Sequence, residues 1–200
     1  MDLKKEQPKI YILSGKARSG KDTVAKVIKT VCEENNLKYI NLQYSSHIKE
    51  YARRISDWDG SDETKPRTLL QQLGTEVIRQ QIDEMFFVKR MISDIKVYSN
   101  FFDVITISDA RYKEEIELPK EHFKDVISIS VIRPIGESSL TEQQQQHLSE
   151  KALDGYDKHD YVINNNKELS DLETKTREII ESTLLLKEVK TGNYRERKSE

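Results

Sequence analysis

Apolar residues follow two rhythms along this chain. Short runs that are almost wholly aliphatic, β-branched or aromatic occur at 10–14, 39–42, 104–108 and 126–132, with a weaker one at 161–164. Runs of that length and content predict strands buried on both faces. Between them, apolar residues recur three and four positions apart, at Val24, Val27, Ile28 and Val31 and again at Leu69, Leu70, Leu73, Val77 and Ile78. This spacing predicts amphipathic helices, and 85–97 and 172–186 supply two more. Alternation of the two rhythms predicts an α/β fold: a five-stranded parallel sheet, doubly wound, with helices on both faces. The stretch 45–98 has no strand signal and is expected to leave the sheet as a helical excursion between the second and third strands. A second excursion is expected at 134–158, where the glutamines at 143–146 read as a polar loop or helix end.

Composition adds limits. Leu, Ile, Val and Phe make up about a quarter of the 200 residues, enough for a core despite 34% charged residues. One domain over 9–186, followed by a polar tail at 187–200, accounts for the length. With 33 basic and 35 acidic residues there is no overall field to draw in nucleic acid or an anionic membrane, so neither is an expected partner and any anion site must be local. No apolar run approaches the roughly 20 residues needed to span a bilayer. The single cysteine, Cys32, the polar start and the lack of an Asn-x-Ser/Thr acceptor lead us to expect a cytoplasmic protein.

The first strand run leads directly into Gly15-Lys16-Ala17-Arg18-Ser19-Gly20-Lys21-Asp22-Thr23, which then opens a helix. This is the spacing of a P-loop, in the strand–loop–helix context such a loop requires. Its glycines let the backbone wrap a phosphate closely, its N–H groups converge, and the helix N-terminus adds partial positive charge. Lys21 supplies a cation for the outer phosphates of ATP. The position after that lysine normally carries a hydroxyl that binds Mg²⁺. Here it is Asp22, with Thr23 one place later, and either could contact the metal.

Asp109 and Arg111 follow the third strand run, at the carboxyl edge where open α/β sheets bind ligands. The acid suits a hydrated Mg²⁺ and the guanidinium a phosphate. Ser46, Lys49 and Arg53 form a further set that could face an acceptor. Four histidines show no metal-ligand spacing.

The string 16–23 resembles phage and bacterial deoxynucleoside monophosphate kinases, whose loop commonly reads Arg-Ser-Gly-Lys-Asp-Thr. Three later segments carry the same resemblance in the same order: Arg67-Thr-Leu-Leu-Gln71-Gln-Leu-Gly74-Thr75-Glu76 with Arg79, Ser108-Asp109-Ala-Arg111-Tyr-Lys-Glu-Glu115, and His147-Leu-Ser149-Glu150. More loosely, the chain also resembles animal-type phosphomevalonate kinases. The resemblance implies a nucleoside-monophosphate-kinase-like fold that uses ATP and Mg²⁺ on a small (deoxy)nucleoside monophosphate; a kinase for another small phosphorylated metabolite such as phosphomevalonate, or a nucleotide-binding protein with weak catalysis, stays open, and a homodimer is a further expectation. The resemblance implies that 45–98 closes over the acceptor, with Ser46, Lys49, Arg67, Gln71, Gly74, Glu76 and Arg79 of that segment, and Arg111 beyond it, as the substrate-binding residues. It also implies that 134–158 is a short lid. Lys21, Arg18, Asp109, Arg111 and Arg133 would carry the catalysis, and Asp22, Thr23 or Asp109 would hold the metal. Arg67 and Arg79 lie more than three α-helical turns apart, so Gly74 is expected to bend the helix if both are to reach one phosphate. The expected lid contains no arginine after Arg133, so the transition-state cations must come from elsewhere.

Overall fold

A computed structural model describes residues 7–134 and 151–192 of the chain. Five strands form one sheet: β1 (Lys9–Ser14), β2 (Tyr39–Leu42), β3 (Val104–Ala110), β4 (Val126–Ile132) and β5 (Tyr161–Asn164). They lie in the order β2-β3-β1-β4-β5, and every pair is parallel. The most apolar run therefore sits at the centre, as expected of a strand covered on both faces.

Residues alternate across the pleat of β1 and divide the core in two. Tyr11 and Leu13 pack against α1 (Lys21–Glu34) and against α6 (Leu169–Gly192) through Val24, Ile28, Leu172 and Ile180. On the other face, Ile10 and Ile12 pack with Phe87, Val88, Met91 and Ile95 of α4 (Phe86–Tyr98) and with Ile116 of α5 (Glu114–His122). The expected doubly wound sheet is what forms.

Between β2 and β3 the excursion contains helices and no strand: α2 (Tyr44–Ile55), an irregular stretch at 56–66, then α3 (Arg67–Gln71), which widens without a break into a π-helix (Gln72–Ile82), then α4. The expected bend at Gly74 is replaced by this widening. In an α-helix each four-residue step rotates a side chain about 40° forward, whereas in a π-helix of roughly 4.4 residues per turn the same step rotates it about 33° back. One step of the first kind and two of the second nearly cancel, so Arg67, Gln71, Thr75 and Arg79 keep to one side.

Two differences from the sequence expectations concern helix limits. The helix α5 has no counterpart among the sequence expectations, because Pro119, which the helix accommodates, reads as a helix breaker. The last helix runs to Gly192, so 187–192 of the expected tail continue it. The expected lid falls partly outside the described residues, and the glutamine run and the segment from His147 to Glu150 lie wholly outside them.

Candidate active site

Every strand ends on the same edge of the sheet, and each delivers a polar group there. From the end of β1 the loop turns sharply, with Gly15 at φ +141°, Arg18 at +60° and Gly20 at +109°. A Cβ on Gly15 would collide with the Val131 carbonyl, and one on Gly20 would lie 2.7 Å from Asn165 Nδ2. Asn165, just past β5, donates to the Ser19 carbonyl at 2.9 Å and pins the loop from beneath. No side chain caps α1, so its first turn keeps the character of an anion site. Lys21 Nζ donates to the Gly15 and Lys16 carbonyls at 2.8 Å each. The buried Ser19 hydroxyl has no hydrogen-bond partner.

Two cavities flank this loop. The first, about 340 Å³, is lined by Ala17, Arg18, Lys21 and Asp22 of the loop, by Ser45, Lys49, Lys65, Arg67, Gln71, Gly74, Thr75, Arg79 and Phe87 of the excursion, by Asp109 near the end of β3, and by Arg111, Tyr112 and Glu115 beyond it. Its walls hold seven basic and three acidic side chains, an excess that suits a polyanion. Lys49 is held below its ordinary pKa, first by burial and then by Lys65 nearby. The second, about 480 Å³, is lined by Ser14, Gly15, Lys16 and Ser19, by the end of β4 through Arg133, and by Asp154, Tyr156 and His159. Of the residues lining these two cavities, Arg111 alone belongs to both.

Asp109 does double service. Its two carboxylate oxygens accept the Tyr44 and Ser45 N–H groups at 2.8 and 3.0 Å, and so supply the cap that Gln43 does not give α2. A carboxylate has about four acceptor sites, so two remain to face the cavity. Among the described residues no group of three His, Cys, Asp or Glu side chains could hold a metal. Magnesium at phosphoryl-transfer sites takes one or two carboxylates and completes its shell with phosphate and water. Asp22 and Asp109, both on the first cavity, fit that chemistry; Thr23 lines neither cavity.

Several expected acceptor residues are placed differently. Ser46 and Glu76 are exposed and off the cavity. The helical phase presents their neighbours Ser45 and Thr75 instead. Arg79 lines the cavity, but its guanidinium is occupied: it donates to Glu114 at 2.6 Å, Glu115 at 3.3 Å and the Glu84 carbonyl at 3.0 Å, and it lies 3.6 Å over the Tyr112 ring. At 8% exposure it is a buried brace. Arg53 turns to the Asp59 carbonyl. Lys16 pairs with Asp154 at 3.1 Å.

The sequence reading missed Lys65, Tyr112 and Glu115 in the first cavity and the pair of Ser14 and His159 in the second, which are 2.6 Å apart. Glu115 closes the string that begins at Ser108, but nothing in its spacing distinguishes it from Glu114. The Ser14–His159 contact joins residues from opposite ends of the chain, and no local pattern announces it.

A family model described as deoxynucleotide monophosphate kinase matches residues 29–176. The matched span starts after the loop, so the loop geometry is a separate observation. The chain is 28% identical over 149 residues to the deoxynucleotide monophosphate kinase of Escherichia phage RB69, across 74% of this chain and 55% of that protein. It thus spans about half the length of that relative. In solved structures, an APS kinase from Mycobacterium tuberculosis in complex with AMPPNP and APS superposes with a TM-score of 0.53 at 12% identity, over 88% of this chain and 99% of its own. A gluconokinase from Sinorhizobium meliloti 1021 gives 0.51 at 13% identity, over 95% and 99%. At such identities the likeness is one of fold.

Proposed function

Because this chain belongs to the deoxynucleotide monophosphate kinase family, we propose that it transfers the terminal phosphoryl group of ATP to a deoxynucleoside monophosphate, giving ADP and the deoxynucleoside diphosphate. The supporting observation is the P-loop set between two cavities that share Arg111.

Phosphoryl transfer asks little covalent chemistry of a protein; it needs donor and acceptor aligned, the transferred charge neutralised and water kept out. Residues Gly15, Lys16, Ala17, Ser19, Gly20 and Lys21 would cradle the donor phosphates with main-chain N–H groups. Lys21 would exchange its two carbonyl partners for a phosphate. The lone Ser19 hydroxyl, buried inside the loop, fits a role as one more donor. Asp22 and Asp109 would hold Mg²⁺, which supplies charge neutralisation between donor and acceptor. In the first cavity, Arg18, Lys49, Lys65 and Arg67 would hold the acceptor phosphate, with Gln71 and Thr75 near its sugar or base. The segment 45–98 would close over it, and 134–158, with Arg133 at its root, would serve as lid. An acceptor phosphate is already anionic, so no general base is required.

The test is ADP release by the full chain with ATP, Mg²⁺ and a panel of acceptors: the four deoxynucleoside monophosphates, their ribose counterparts and a phosphorylated non-nucleotide such as phosphomevalonate. Turnover with at least one deoxynucleoside monophosphate, well above the non-nucleotide, is expected. Turnover confined to the non-nucleotide would overturn the reading.

A further inference from the structure

Arg111 occupies the one position shared by the two cavities, so what fixes its main chain bears on the reaction. It precedes α5, in a loop without regular structure, and helix α5 starts at Glu114 with no side-chain cap from Lys113. Glu115, one residue into that helix, turns its carboxylate back over the loop. Its Oε2 accepts the Arg111 N–H at 2.7 Å and the Tyr112 N–H at 3.2 Å. Its Oε1 receives Arg79 Nη2 at 3.3 Å. The residue is 4% exposed, and the Tyr44 hydroxyl donates to its main-chain carbonyl at 2.9 Å, which ties α5 to α2. A carboxylate buried to this degree is costly unless paired and hydrogen-bonded. Here both oxygens have partners, and both lead to the site.

We propose that Glu115 is a positioning residue: its carboxylate holds the main chain of Arg111 and Tyr112 so that the Arg111 guanidinium sits between donor and acceptor, while Arg79 is the counter-ion that holds Glu115 and is not an acceptor ligand. The proposal rests on the phosphotransfer reading for its effect on rate, but not for its geometry. Misplacing a reacting group by about 1 Å can cost up to roughly 100-fold in rate, so a residue that never touches substrate can control turnover in this way.

The substitution Glu115→Gln isolates the effect. A carboxamide has one accepting oxygen and one donating nitrogen, so it can serve the Arg111 and Tyr112 N–H groups or Arg79, but not both. Two measurements on the full chain decide the matter. First, kcat and KM are measured for wild type, Glu115→Gln, Arg111→Ala and the double variant. If Glu115 acts through Arg111, Glu115→Gln lowers kcat roughly tenfold or more, leaves the KM for ATP within about twofold, and adds nothing once Arg111 is alanine. Losses that multiply in the double variant, or a KM for ATP that rises with the fall in kcat, would show a merely structural role and overturn the proposal. Second, amide hydrogen exchange in the wild type needs no turnover. Slow exchange at Arg111 and Tyr112, set against fast exchange in exposed loops, is expected, and fast exchange at both would overturn the proposal even if Glu115→Gln failed to fold. Absence of ADP from every monophosphate would sink the phosphotransfer reading alone, and the exchange rates would still decide for or against Glu115.

Discussion

Lys21 shows how much a single residue carries. Its ammonium rests on two loop carbonyls, poised where the donor's outer phosphates would lie. Lys21→Ala removes a cation from developing charge, and we expect phosphotransfer to fall on the order of 10²-fold or more while the fold persists; turnover within twofold of wild type would place the lysine outside the chemistry. Arg79 is different in kind. Arg79→Ala would leave Glu114 and the buried Glu115 without their cation, so a stability loss of about 3–5 kcal/mol is expected in denaturant titration. A folded, fully stable variant with only a raised acceptor KM would restore Arg79 to the role its place in the sequence suggested. Glu115 also has a pH signature. Burial pushes its carboxyl up to about 7 from an ordinary 4.5, and Asp109 adds to the shift, while the Arg111 and Tyr112 N–H groups and Arg79 oppose it; Glu114 and the hydroxyls of Tyr44 and Tyr112 are further titratable groups around it. Between those two values the folded chain keeps a proton that the unfolded chain releases. Stability should therefore fall as pH rises through that window, by a few kcal/mol, relative to Glu115→Gln. Equal pH slopes for the two proteins would contradict the shift.

At the scale of elements, the strand–loop–helix unit is the part most exposed to backbone change. Gly15→Ala asks for a left-handed φ and sets a methyl against the Val131 carbonyl, a backbone atom that cannot step aside. Strain of about 1–3 kcal/mol from the dihedral alone, plus that contact, should lower the melting temperature and abolish nucleotide binding by calorimetry; unchanged binding would contradict the loop geometry. This unit was also the most legible in the sequence, because glycine spacing, an apolar run and an amphipathic helix all point to one local structure. The strands were legible for a similar reason: parallel strands buried on both faces are apolar at nearly every position. Helix α5 was not, since Pro119 breaks its pattern and only Ile116 and Pro119 of its apolar residues are buried. The π-helix was hidden too. Its apolar spacing reads as α, and its packing against α2 and α4 is something no local periodicity records.

For the whole molecule, the sheet topology brings the ends of β1, β3 and β4 to one edge, and the helical excursion between β2 and β3 folds over that edge to complete the first cavity. Legibility falls off with sequence separation. The loop and the Asp109–Arg111 string could be read because each lies within a few residues of a strand end. Lys65 and the Ser14–His159 pair depend on how distant segments fold onto that edge, as does the Arg79–Glu115 pairing that turned an expected ligand into a brace. A ligand that binds only the folded state raises stability by mass action, by about 2.7 kcal/mol at 100 times its Kd; saturating ATP with Mg²⁺ should raise the melting temperature of the wild type and leave that of Gly15→Ala unmoved. The most direct test follows the phosphoryl group itself. With ATP labelled at its terminal phosphate and a deoxynucleoside monophosphate, the label should pass to the second phosphate of the deoxynucleoside diphosphate, one for each ADP formed. Label released only as inorganic phosphate, or retained in ATP that is nevertheless tightly bound, would contradict it.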